Sequence, residues 1–158
     1  MPKIDVAKAQ LVTGSRYPKP FDEPCQNRTN LRLGDVVGLT QFGVNITTVK
    51  PGGWSSQRHW HAKEDEFIYM LEGELVLIED GGETIMRAGE CAGWKAGLKN
   101  GHHFVNRSGK DAKFLVVGAR DSADWGEYSD IDMRFYREDA PGSPSPHGGF
   151  TRKNGTPY

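Results

Sequence analysis

The 158-residue chain has only two cysteines, Cys25 and Cys91. Thiols this far apart, with no secretory signal ahead of them, predict reduced core or loop residues rather than a disulfide framework, with Cys91 packed inside a strand. No apolar run approaches the roughly 20 residues of a membrane span. The opening MPKIDVAKAQL lacks the apolar stretch of a signal peptide. An excess of either charge is missing too: 20 Lys and Arg stand against 21 Asp and Glu, a formal net charge of −1. That balance, with no local basic cluster, gives no pull toward nucleic acid or an anionic membrane. No stretch carries a convincing helical period, which argues against a helical class. The expectation is a cytoplasmic protein whose partner is a small molecule.

Glycine, at 20 residues, and proline, at nine, are abundant and spread along the chain. Such spreading suits many short strands joined by turns. Strands are predicted over 43–49, 67–71, 74–79, 83–87, 103–106 and 113–118. LEGEL at 71–75 and EDGGE at 79–83 predict hairpin turns, with Gly73 and Gly81 taking positive φ. The predicted class is all-β, closed as a barrel or double-sheet jelly roll to protect its edges. Residues 1–34 read as an irregular N-terminal arm, 35–120 as the barrel and 121–158 as a polar C-terminal extension.

Four of the five histidines fall in two pairs, His59 with His61 and His102 with His103. If residues 57–61 are extended, Gln57, His59 and His61 share one face and Trp60 takes the other. Two imidazoles about 7 Å apart on one face can converge on a metal ion. Glu66 opens the next strand and can return its carboxylate to them. Two histidines and a carboxylate suit Fe(II), Mn, Zn, Ni or Co. A further imidazole from His102 or His103 can complete a site of three histidines and one carboxylate.

The stretch Gly53-x5-His59-x-His61-x4-Glu66-x6-Gly73 resembles the first motif of the cupin superfamily at every specified position. The second motif is matched less well by Gly89-x5-Lys95-x-Gly97 followed by His102-x3-Asn106. Lysine stands at the usual proline position, and the gap from Gly97 to the histidine is two residues longer. Its spacing to Asn106 selects His102 over His103. The resemblance implies a cupin double-stranded β-helix holding one divalent transition metal (Zn, Mn, Ni or Fe) on His59, His61, Glu66 and His102. The chain resembles small stand-alone cupins, a group often labelled sugar-phosphate-isomerase-like, and this implies a homodimer in which the arms cover sheet edges or cross to the partner.

A metal with open positions can polarise a carbonyl or hydroxyl oxygen. The first functional expectation is a metal-dependent isomerase of a sugar or sugar phosphate, passing through an enediolate. An Fe(II) oxygenase on the same site and a non-catalytic binding module are the alternatives. Lys95 and Lys99, on the loop before His102, are expected to hold an anionic group, and Gln57 to hydrogen-bond the substrate. No residue beyond the ligands is singled out as the catalytic acid or base.

Overall fold

The computed structural model describes residues 3–158. Its strands are β1 (Gln10–Thr13), β2 (Arg28–Arg32), β3 (Phe42–Val49), β4 (Glu66–Glu72), β5 (Glu74–Glu79), β6 (Gly82–Arg87), β7 (Cys91–Trp94), β8 (His103–Val105), β9 (Ala112–Ala119), β10 (Trp125–Glu127), β11 (Arg134–Tyr136) and β12 (Gly149–Thr151). Among the described residues, helix is confined to three short 3-10 turns. The strands form a six-stranded sheet in the order β1-β2-β3-β9-β4-β7, a three-stranded sheet β6-β5-β8, and a small sheet β10-β11-β12.

Alternation explains how the first two sheets meet. Along β4, Ile68 and Met70 are buried while Phe67, Tyr69 and Leu71 remain exposed. The buried set joins Val49 and Phe114 of the same sheet to Leu75 and Leu77 of β5, Met86 of β6 and Phe104 of β8. Each fully buried side chain of this size contributes about 1.5–3 kcal/mol of transfer free energy. The result is the expected all-β double sheet.

The two predicted turns differ in role. EDGGE closes the β5–β6 hairpin, with Glu79 opposite Gly82, but positive φ falls on Gly82 (121°) rather than Gly81. LEGEL is not a hairpin, because β4 pairs with β7 and β9 while β5 pairs with β6 and β8. Gly73 (φ 73°) instead carries the chain between sheets, and a Cβ there would lie 2.8 Å from the Asp111 carbonyl. Backbone crowding, as well as φ, demands glycine.

Both terminal segments are more ordered than their composition suggests. β1 and β2 extend the six-stranded sheet, although no strand is predicted before residue 43. The C-terminal sheet lies along the histidine segment: Ala62 donates to the Trp125 carbonyl at 2.8 Å and Trp60 to that of Glu127 at 3.3 Å. Each of its strands is only three residues long, too short to show alternation in sequence.

Cys25 is fully buried, and burial pushes its thiol up to about 11 against the opposing pull of Arg28. Cys91 is exposed, contrary to the expectation of buried packing, because β7 is an edge strand and Cys91 lies on its outward face. A thiol reagent at neutral pH should therefore titrate at most one equivalent in the native protein, and a second only after unfolding. Two equivalents before unfolding would contradict the buried position of Cys25.

Candidate functional site

His59 and His102 face each other in an antiparallel bridge, His102 donating to the His59 carbonyl at 3.0 Å and His59 to that of His102 at 3.3 Å. Their rings lie 5.7 Å apart, and the His61 ring lies 5.0 Å from that of His59. Trp60, between them in sequence, is buried against Trp125 on the other side. Glu66 begins β4, and its Oε2 stands 2.8 Å from His102 Nε2. The His102 ring stacks on Trp94 at 3.7 Å and 6°. Trp94 donates Nε1–H to Glu79 Oε1 at 2.7 Å, and Asn100 donates to the same oxygen at 2.8 Å. Three imidazoles and a carboxylate thus converge between the two main sheets.

The second nitrogen of each ring shows which atom is free. His59 Nδ1 donates to the Gln57 carbonyl at 2.8 Å, His61 Nδ1 to Asp124 Oδ2 at 2.7 Å and His102 Nδ1 to the Asn100 carbonyl at 3.1 Å. Every Nδ1 is occupied by an acceptor, so in the neutral rings every Nε2 is a lone pair. A protein acceptor behind each ring is the arrangement expected of metal-binding histidines. A lone pair on His102 Nε2 cannot sit 2.8 Å from a carboxylate oxygen unless a proton or a cation lies between them. A protonated His102 or a bound cation satisfies that contact, and three imidazoles with a carboxylate are a donor set of the kind divalent transition metals take.

The electrostatics agree with a cationic occupant. Burial, then the neighbouring His61 and His102, pushes His59 down to about 3, so that ring is neutral. Burial alone would raise Glu66, but its hydrogen bond to His102 and the proximity of the His102, His61 and His59 imidazoles hold it at about 2. Burial also pulls His61 down, yet the Asp124 hydrogen bond and the nearby carboxylates outweigh it and the net shift is upward.

Among the described residues, the group whose ligand atoms all lie within 4.8 Å of one another is a different one, His61 with Glu64 and Asp124, and it could hold a metal ion. Its carboxylates are already engaged. Asp124 accepts from His61 and from the Lys63 N–H at 2.8 Å, and Glu64 accepts from Arg137 at 2.9 Å and from the Asp121 N–H at 3.1 Å. Those bonds suit Asp124 to orienting His61, with Glu64 3.7 Å from the same Nδ1.

Three cavities meet at the cluster. One of about 230 Å³ runs between the sheets past Tyr17, Arg28, Asn45, His59 and Glu66. One of about 560 Å³ opens beside His61 and Glu66 and is lined by Arg16, Arg32, Arg120 and Arg137. The third, about 650 Å³, runs over His59 and His61 under Tyr128, Phe135, Tyr136 and Phe150, again with Arg16 and Arg137. Tyr17 and Tyr128 pack edge-on at 5.5 Å, and burial raises both hydroxyls, so both stay neutral.

The structure brings His59, His61, Glu66 and His102 together but not the other residues expected at the site. His103 commits Nδ1 to the Ser56 carbonyl at 2.9 Å and packs edge-on against Trp54, outside the cluster. The Gln57 amide donates to the Phe21 carbonyl at 2.8 Å, tying down the N-terminal segment. Lys95 is exposed, and Lys99 Nζ sits 5.5 Å over the Trp60 ring, on the side opposite the histidines. Neither lysine lines any of the three cavities, whose cations are arginines. Asp124, Arg16 and Arg137 carry no motif. Asp124 lies 63 residues from its partner His61, so spacing gives no sign of the pair.

Residues 45–118 match the family model described as a cupin domain. Over 99% of this chain and 96% of the other, the structure is similar to a crystal structure of a sugar phosphate isomerase from a cupin superfamily, from Silicibacter pomeroyi, with 44% identity and a TM-score of 0.91. The chain belongs to the cupin superfamily. This cupin also resembles a protein from Acidithiobacillus ferrooxidans provisionally named a sugar phosphate isomerase, with 26% identity over 80% of this chain and 77% of that one and a TM-score of 0.72. A polyketide cyclase from Streptomyces resistomycificus matches with 26% identity over 77% of the cupin and 80% of its own length, at a TM-score of 0.59. No curated protein matches the chain.

Proposed function

We propose that this cupin binds one divalent transition metal through Nε2 of His59, His61 and His102 and a carboxylate oxygen of Glu66, and that it isomerises a sugar phosphate beside that metal. The observation that carries the reading is the convergence of the three rings on Glu66 with every Nδ1 already occupied. The metal supplies Lewis-acid polarisation of a carbonyl or hydroxyl oxygen. The chain's own groups bind and orient. Asp124 fixes the His61 ring. Phe135, edge-on to His59 at 5.8 Å and to His61 at 5.0 Å, screens the cluster from water on one side. The Tyr128 hydroxyl offers a neutral donor. Arg16 lines both larger cavities and has no carboxylate or carbonyl partner among the described residues, so its guanidinium is free to take the phosphate. The 44%-identical structure from Silicibacter pomeroyi supports the choice of substrate class.

The reading is tested by elemental analysis of protein purified without added metal, followed by following ketose–aldose interconversion of sugar phosphates by NMR. Bound metal with turnover supports it. Bound metal with oxygen uptake and no isomerisation replaces it with an oxygenase. Arg16→Ala should weaken sugar-phosphate affinity by roughly tenfold or more at low salt, the scale of one lost charge-assisted hydrogen bond. The loss should shrink at high salt, while metal content stays constant. Unchanged affinity would remove Arg16 from the anion site.

A second reading is favoured by the aromatic wall of the 650 Å³ cavity and by the resemblance to a polyketide cyclase: an aromatic substrate lying against Tyr128, Phe135, Tyr136 and Phe150. Under it, planar aromatic ligands raise the melting temperature and sugar phosphates do not.

A further inference from the structure

Two strand glycines have no reason within the fold to be glycine. Gly118 of β9 pairs with Glu66 of β4 on one side and with Gly43 of β3 on the other, so the three share the inner face of the large sheet. Gly73 and Gly126 differ, because a Cβ on either would strike backbone. At Gly118 φ is not positive, and a Cβ would meet only the Asp65 carbonyl among the described residues, at an ordinary 3.7 Å. At Gly43, again without positive φ, the nearest atom is Arg120 Nε at 3.5 Å. Glycine inside a strand weakens it, since it loses more freedom on folding and brings no side chain to pack. Such a residue often marks close approach of a ligand.

The space left open adjoins the proposed metal ligands. Both glycines line the 560 Å³ cavity together with His61 and Glu66. Two strand spacings, about 10 Å in all, carry this bare floor from Glu66 to Gly43. Arg120 crosses its outer end, held to Asp35 at 2.5 Å and to the Leu39 carbonyl at 2.7 Å. Arg16 lines the same cavity. Asn45 stands beside the floor, two residues from Gly43 on the same face. Its half-buried amide lines this cavity and the inner one, with no hydrogen-bond partner among the described residues. An amide both donates and accepts, and so does a hydroxyl.

We infer that the middle carbons of the substrate lie on the floor at Gly118 and Gly43, between the metal-bound oxygens and the phosphate, and that Asn45 reads a hydroxyl on them. This rests on the sugar-phosphate reading above. The glycines set how closely the carbon chain approaches the sheet. A methyl group at position 118 would stand on the floor beside Glu66, where it displaces ligand and not protein. The arrangement selects a hydroxylated chain of more than three carbons. In a three-carbon sugar phosphate, the two reacting carbons and the phosphate-bearing carbon leave no middle to place.

The test compares metal-loaded wild type with Gly118→Ala, Gly118→Val and Asn45→Leu. Calorimetry measures binding of ribitol 5-phosphate, an unreactive five-carbon chain, and of inorganic phosphate. Both glycine variants should keep their metal and hold or raise the urea midpoint, because the new residue fits the backbone and restricts the unfolded chain. Their affinity for ribitol 5-phosphate should nevertheless fall, roughly tenfold for alanine and further for valine, the scale of one misfitting methylene. Asn45→Leu should lose roughly tenfold, the scale of a hydrogen bond left unmade. Inorganic phosphate needs no floor and should bind every variant as it binds the wild type. Stability and affinity moving in opposite directions is a result that a merely structural glycine does not give. Unchanged ribitol 5-phosphate affinity in Gly118→Val overturns the inference, and so does a loss accompanied by lost metal or a lower urea midpoint. Isomerase turnover in Gly118→Val with the KM of the wild type overturns it too, and leaves the proposed function standing. Ribitol 5-phosphate binding that depends on Gly118, in a wild type without turnover, upholds the floor and removes the isomerase.

Discussion

Alanine at position 61 should strip most of the bound metal from the protein and lower its melting temperature. His61 is one of four proposed ligands, and its Nε2 is aimed by the 2.7 Å bond from Nδ1 to Asp124. A metal present at 100 times its dissociation constant adds about 2.7 kcal/mol to the folded state. For a chain of this length each kcal/mol is worth about 2–4 °C, so the variant should melt roughly 5–10 °C lower. Chelator-treated wild type should fall to the same temperature, because both changes remove the same linkage. Asp124→Asn keeps all four ligands and loses only the charged acceptor behind one of them, so its metal affinity should fall by about 10–100-fold. Elemental analysis and calorimetry on the three proteins check both statements. Full metal occupancy in His61→Ala would remove that residue from the site.

Gly126→Ala should be the most damaging single-methyl change in the C-terminal sheet. A Cβ at this position would fall 1.9 Å from the Trp60 carbonyl and 2.5 Å from the Phe135 ring. The first obstacle is backbone, which cannot rotate away. Overpacking of this kind costs about 1–3 kcal/mol, and the backbone clash puts Gly126 at the upper end. The strand would have to lift from the segment carrying His59 and His61, so metal affinity should fall together with stability. Gly81→Ala is the control: a Cβ there meets nothing within 4 Å and φ is not positive, so its effect should stay within about 0.5 kcal/mol. Urea midpoints at constant m-value separate the two.

The central strands were legible because one face of each meets the core. FIYML is an unbroken apolar run whose alternation shows only in its burial, and the predicted 74–79 coincides with β5. RTNLR of β2 does not alternate, since every one of its residues is partly covered, so the burial contrast that would mark a strand is missing. The proposed ligands are legible because two histidines on one extended segment and a glutamate opening the next strand leave a local trace. The supporting residues left none. Asp124 and Arg137 flank strands of the C-terminal sheet and Arg16 lies in a loop, and only the folded chain brings them to His61. Lys95 and Lys99 were placed by closeness to His102 along the chain. The side that decides their role is set by Trp60, which draws Lys99 onto the outer surface. An apolar strand position suggests buried packing for Cys91, but an edge strand has an open side.

The flat stack of Trp94 on His102 makes the site visible to light. An indole in face contact with an imidazole exchanges excited-state electrons with whatever that ring holds. A proton on the ring, or an open-shell ion bound to it, quenches the indole emission, whereas a closed-shell ion such as Zn²⁺ leaves the indole bright. Intrinsic fluorescence should therefore report both loading of the proposed metal and its electronic class, without a label or a substrate. Trp94→Phe keeps an aromatic platform under His102 and removes that signal, which separates it from the emission of Trp54, Trp60 and Trp125.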